Sequence, residues 1–156
     1  MTSCPFCELP STTDLPRNEL AYTRYDKYPV TPGHLLVIPF RHVSNYFEAT
    51  AEEKQALWAL VEEAKLYLDR QYAPDGYNLG IKVGVEAGQT VMHLHLHLIP
   101  RYRGDVADPR GGVRGVIPEK QKYTPISSME PLPKIGEGSG SKCHGRDGGQ
   151  GGLGPP

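Results

Sequence analysis

Between residues 93 and 97, three histidines alternate with leucines as His93-Leu94-His95-Leu96-His97, followed by Leu98 and Ile99. Imidazole titrates near pH 6.5, so at neutral pH it offers a lone pair without first losing a proton. The chain holds six histidines, and three within five positions is not background use. Strict alternation is the pattern of a β-strand, whose side chains point to opposite faces in turn. The three imidazoles then share one face at a spacing of about 7 Å, and the leucines share the other. Such a row suits a metal site, nucleophilic attack of one imidazole on phosphorus, or a passive strand face. A His-x-His metal site would also want a nearby downstream carboxylate, and none occurs before Asp105. A second candidate is Cys4-Pro5-Phe6-Cys7, which has the spacing of half a structural zinc site and equally suits a pair of free or redox-active thiols. Three cysteines in 156 residues form no disulfide framework.

The elements that position these residues are legible from pattern. Residues 20–26 and 33–40 are short apolar and β-branched runs bounded by proline and glycine, and each predicts a strand. Thr50-Ala-Glu-Glu53 has the form of a capping box, and Leu57, Leu60, Val61, Ala64 and Leu68 recur behind it at helical spacing. A helix is predicted to about Tyr72, ended by Pro74-Asp75-Gly76. Residues 77–84 and 91–100 then predict an antiparallel pair. The fold class expected is α+β: an antiparallel meander sheet with one long helix packed on it.

Composition limits the partners. There are 17 Lys and Arg against 18 Asp and Glu, a net charge of −1. A protein that holds a nucleic-acid polymer or a membrane surface by bulk charge should sit far from balance. No apolar run is long enough to span a bilayer and no signal-peptide core follows Met1, so the cytoplasm is the expected location. Residues 127–156 hold 9 of the 18 glycines and 4 of the 15 prolines and are expected to form a disordered tail, leaving residues 1–126 as the folded domain. Between Ile99 and Lys122, six basic residues face three acidic ones. This stretch is expected to be either a solvated loop or a flap whose arginines meet distal phosphates.

The histidine row, with Gly88-Gln89-Thr90 before it and Pro100-Arg101 after it, resembles the histidine triad (HIT) family. The resemblance extends upstream through Thr31-Pro-Gly-His34-Leu-Leu-Val-Ile-Pro39 and Arg41-His42-Val43. Downstream, Gly104-Asp105 through Pro118-Glu-Lys120 looks like a bacterial subgroup labelled diadenosine polyphosphate hydrolase-like. The resemblance implies a homodimer that binds a purine nucleotide and splits a phosphoanhydride or phosphoramidate bond. By matching position, His95 would be the nucleophile and would carry a nucleotidyl intermediate. His97 would hold the α-phosphate, and His34 would orient the site. Asp26 would bind ribose, while Gln89 and Thr90 would hydrogen-bond the phosphate or leaving group. Lys82 stands where the family usually has a small amide or acid, and it could either grip a longer polyphosphate as a point charge or point away from the site. Zinc-binding members imply a structural zinc on Cys4, Cys7, His42 and His93. Two other readings stay open: a nucleotide-binding protein without catalysis, and a zinc-dependent hydrolase with His93, His95 and His97 as ligands.

Overall fold

In the computed structural model, residues 4–11 and 14–122 are described. The expected boundary at 126/127 and the Gly/Pro-rich tail lie outside them. Thr50 opens the longest element as the capping box requires: its hydroxyl accepts from the Glu53 amide, and the Glu53 carboxylate accepts from the Thr50 amide. Helix α1, Ala51–Tyr72, buries Leu57, Leu60, Val61, Ala64 and Leu68 along one stripe. It stops at Ala73, whose backbone is left-handed (φ 46°, ψ 54°), immediately before Pro74.

The strands are β1 (Ala21–Tyr25), β2 (Leu35–Pro39), β3 (Gly76–Ile81) and β4 (Leu96–Arg101). They form one antiparallel sheet in the order β1-β2-β4-β3. The expected α+β layer is therefore present, with one refinement to the meander. Helix α1 carries the chain across the sheet so that β3 takes the edge, and β4 returns into the slot between β2 and β3. The residues suit these places: Leu96 and Leu98 on β4 are buried, whereas β3 carries two glycines, which an edge strand tolerates.

The sheet has two different faces. Ala21, Leu35, Val37, Leu96 and Leu98, with Leu94, pack against the leucines of α1 as the main core. On the other face Tyr22, Leu36 and Ile38 are covered only by Phe6 and its neighbours. The rest of that face is open. β4 begins at Leu96, five residues later than expected. The Leu94 amide donates to the Val43 carbonyl in the loop after β2, at 2.7 Å, so this stretch pairs with a loop instead of continuing the ladder. The alternation survives nonetheless, with Leu94 in the helix-side core and His95 opposite.

Gly33 fixes the entry to β2. Its φ is 84°, and a Cβ there would lie 3.1–3.2 Å from Tyr72 and Leu68 of α1. Only glycine lets the turn settle on the helix and deliver His34 to the open face. Among the described residues no helix is long and apolar enough to cross a membrane.

Candidate active site

The ladder sets Arg24, Leu36, His97 and Gly80 side by side across the four strands. One step further, the Asp26 amide donates to the His34 carbonyl at 3.0 Å. Over this face lies a cavity of about 990 Å³ whose lining includes Asp26, His34, Lys82, Thr90, His95 and His97. Six of the residues singled out from the sequence thus meet in one place.

Hydrogen bonds fix the protons on the imidazoles. The Val30 amide donates to His34 Nδ1 at 3.2 Å, so neutral His34 carries its proton on Nε2. That proton is donated to His97 Nδ1 at 3.0 Å, which leaves the His97 proton on Nε2. His97 Nε2 is buried and has no partner among the described residues. A buried donor without an acceptor is costly, so this atom is the place for a ligand oxygen. His95 is held differently: its Nδ1 donates to the His93 carbonyl at 2.8 Å. Its lone pair is therefore on Nε2, the form a nucleophile needs. The Asp26 carboxylate lies 3.6 Å from His34 Nε2 and 3.7 Å from His97 Nδ1.

Burial keeps these rings neutral. It is the main cause pushing His34 and His95 below the ordinary value, with Lys82 adding to the effect at both. His97 is driven down to about 4 by burial first, then by His95, Lys82 and His34. The unfolded chain therefore takes up a proton at this position near pH 6.5, whereas the folded chain refuses it until about pH 4. Its effect on stability is nil above that window and grows increasingly unfavourable as pH falls through it, reaching roughly 3 kcal/mol by pH 4. The melting temperature is expected to fall from pH 7 to pH 4, and His97→Gln should flatten part of that slope.

One expectation needs correction. Gln89 does not line the cavity. Its Oε1 accepts from the Gly84 amide at 2.9 Å, and its Nε2 donates to the Ser44 and Val91 carbonyls at 2.6 and 3.1 Å. A buried amide with every polar atom engaged by backbone clamps the loop and has nothing left for phosphate. The basic stretch, expected as either a solvated loop or a phosphate-meeting flap, turns several of its cations on its own groups. Arg101 is paired bidentately with Asp105, Arg110 with Asp108, and Arg114 donates to the Lys120 carbonyl. From this stretch the cavity is lined by the paired Arg101 and Asp105 together with Val106, Val113 and Val116.

Cys4, Cys7, His42 and His93 form a second cluster, their ligand atoms all within 4.8 Å of one another. His93 Nδ1 lies 3.5 Å from Cys4 Sγ and 3.6 Å from Cys7 Sγ, and His42 Nδ1 lies 3.3 Å from Cys7 Sγ. Tetrahedral zinc with sulfur at about 2.3 Å and nitrogen at about 2.0–2.1 Å requires S···N edges of about 3.6 Å. The His93 proton is fixed too: Nε2 donates to the Pro39 carbonyl at 2.9 Å, leaving Nδ1 free for an ion. The donor set thus fits a closed four-ligand metal. The same geometry removes the reading in which the histidine row forms one metal site, because His93 turns to the cysteines and His97 to His34.

Sequence reasoning missed Phe6. Its ring meets the His95 ring edge-on at 5.0 Å, and Arg24 lies over it at 5.6 Å. Its only sequence signal is its place between the two cysteines, which the metal cluster would hold fixed.

A sheet that gathers alternating histidines from β4 and the segment leading into it, and a fourth from the turn leading into β2, defines a histidine-triad protein. The HIT domain profile matches residues 11–104, and the chain belongs to that family. It is similar to the AP-4-A phosphorylase of Mycobacterium tuberculosis, 36% identical over 107 residues, which cover 65% of this chain and 55% of that protein. It is also similar to the asymmetrical bis(5'-nucleosyl)-tetraphosphatase of Schizosaccharomyces pombe, 36% identical over 92 residues, or 59% of this chain and 50% of that one. The chain spans about half the length of these curated relatives. Among solved structures it resembles a Zn-bound histidine triad family protein from Mycobacterium smegmatis, with a TM-score of 0.56 and 32% identity over 60% of this chain and 68% of that chain.

Proposed function

We propose that this protein is a nucleotide hydrolase. It splits the phosphoanhydride or phosphoramidate bond of a dinucleoside polyphosphate or a nucleoside phosphoramidate through a covalent intermediate on His95. The observation that carries this reading is the fixed tautomer of His95, neutral with Nε2 unprotonated, beside the unpartnered donor His97 Nε2.

In the first step the His95 Nε2 lone pair forms a bond to the α-phosphorus. The bond from that phosphorus to the leaving oxygen or nitrogen breaks, and its electron pair departs with the leaving group. His97 Nε2–H donates to an α-phosphate oxygen as charge shifts, and the His34–His97 bond holds it in place. In the second step water attacks the same phosphorus, the phosphorus–nitrogen bond to His95 breaks, and the nucleoside monophosphate leaves. Asp26 receives a ribose hydroxyl, Thr90 and Lys82 meet phosphate oxygens, and the apolar end at Phe6, Leu36 and Val91 takes a purine. Cys4, Cys7, His42 and His93 hold a structural zinc, which has no open position for substrate. The thiols this requires fit the cytoplasm.

The sheet leaves the outer edge of β3 without a strand partner among the described residues, and Trp58 on α1 is 44% exposed. Both support a homodimer joined along β3 and α1, with a light-scattering mass of twice 17.2 kDa.

The test is a panel of dinucleoside tri- and tetraphosphates and nucleoside phosphoramidates, with products identified. Hydrolysis gives a nucleoside monophosphate from each substrate used. Similarity to a phosphorylase supports one variant reading, in which inorganic phosphate replaces water and the product is a nucleoside diphosphate. If no substrate of the panel is turned over, with or without added phosphate, the enzyme reading is wrong.

A further inference from the structure

The reacting centre has an unusual charge balance. A chain of phosphates carries several negative charges and is held best by fixed cations and donors beside the reacting centre. Four full cations line the cavity: Arg24, Lys27, Lys82 and Arg101. Arg24 donates to the Pro5 carbonyl and lies over Phe6, Lys27 lies over the Tyr28 ring, and Arg101 is neutralised by Asp105. Lys82 is half-buried, and among the described residues no carboxylate comes within ion-pair distance of it. The two acids on the cavity are turned away, Asp26 toward His34 and His97, and Asp105 toward Arg101. Burying part of an ammonium without a counter-charge is unfavourable unless an anion arrives to meet it.

Lys82 is not alone. By strand alternation Asn78, Gly80 and Lys82 share the open face, a run of about 13 Å. Gly80 lies directly across the ladder from His97, and a Cβ built on it meets nothing within 4 Å. The floor beside His97 is therefore left empty by a residue that weakens a strand interior. Asn78 Oδ1 accepts from Arg101 Nη1, and Arg101 is locked by Asp105, so the amide is oriented with its Nδ2 donors left over. The face thus offers a fixed donor, a gap and an uncompensated charge, in line with His97.

We infer that the open face of β3 is a subsite for the leaving group, with the distal phosphates running over Gly80 between Lys82 and Asn78. The protein thereby prefers nucleotides whose leaving group is a chain of phosphates to those whose leaving group is an amine. This rests on the hydrolase reading and narrows its substrate class.

The test uses the full chain with diadenosine tetraphosphate and adenosine 5'-phosphoramidate as paired substrates. The ratio of their kcat/KM values is read for Lys82→Met, Lys82→Arg and Gly80→Val. The ratio should fall at least tenfold in Lys82→Met and largely recover in Lys82→Arg. It should also fall at least tenfold in Gly80→Val, although valine favours strands and the variant should melt at or above the wild-type temperature. Calorimetric titration with inorganic tripolyphosphate should show at least tenfold weaker binding to Lys82→Met. An unchanged ratio in both Lys82→Met and Gly80→Val, or a tripolyphosphate affinity indifferent to Lys82, overturns the subsite. Failure of the hydrolase reading looks different: wild-type protein turns over neither substrate, while tripolyphosphate binding still depends on Lys82.

Discussion

His95→Ala is expected to abolish turnover while leaving nucleotide affinity within about tenfold, or ~1.4 kcal/mol. A nucleophile contributes to the transition state far more than to the ground state, so its loss should appear in kcat and barely in Kd. The structure gives a reason for the small binding effect. His95 Nδ1 is spent on the His93 carbonyl, and Nε2 has only a lone pair to offer a phosphate that is itself rich in lone pairs. His97→Ala should behave otherwise, weakening both binding and rate, because Nε2–H is a buried donor to the phosphate before and during the step. Wild-type protein quenched during turnover without acid should carry a nucleotide on His95, since phosphohistidine is acid-labile. With direct attack by water there would be no adduct and no transfer of the nucleotide to added alcohols or amines. Full activity in His95→Ala would remove the mechanism altogether, and retained binding with no activity in wild type would leave a nucleotide-binding protein.

What could be read from the chain beforehand follows from what is local. The capping box, the helical stripe and the His-Leu alternation depend on residues a few positions apart, and all three are found. Asp26, His34, Lys82, Thr90, His95 and His97 were recognisable by type and position, and the cavity gathers them. What could not be read concerns contacts that carry no periodic signature. Gln89 looks like a phosphate ligand until Ser44, 45 residues away, is seen to accept from its amide. The basic stretch 99–122 could be read as a solvated loop or as a phosphate-meeting flap, and only the turn that folds Arg101 onto Asp105 shows how that charge is spent. The start of β4 shifts because the Val43 carbonyl captures the Leu94 amide, a loop contact with no periodic signature. Phe6 touches His95 only because a short knuckle of chain crosses the sheet, and alternation within β4 says nothing of what lies over it.

Zinc should co-purify at about one per chain, and Cys4→Ser should lower thermal stability more than it lowers activity per folded molecule. Two thiols and two imidazoles meet here from three separate parts of the chain: the N-terminal knuckle, the loop after β2 and the approach to β4. An ion that binds all four is absent from the unfolded chain's contacts, so its binding free energy becomes folding free energy. Structural zinc peptides carry about 10–16 kcal/mol of apparent binding free energy, and losing even a few kcal/mol of it should lower the melting temperature by about 10 °C or more in a domain of this size. Activity should suffer less, because the His95 tautomer depends on the His93 backbone carbonyl and not on the ion. It should still suffer, because the knuckle that carries Cys4 and Cys7 also carries Phe6 onto the His95 ring. Chelation should therefore unfold the protein over a temperature range in which residual activity tracks the folded fraction, whereas a catalytic metal would lose activity at once and stability later. Elemental analysis of untagged protein that finds no zinc would refute the four-ligand site. A Cys4→Ser protein that melts with wild type would show that any bound ion does not hold the fold.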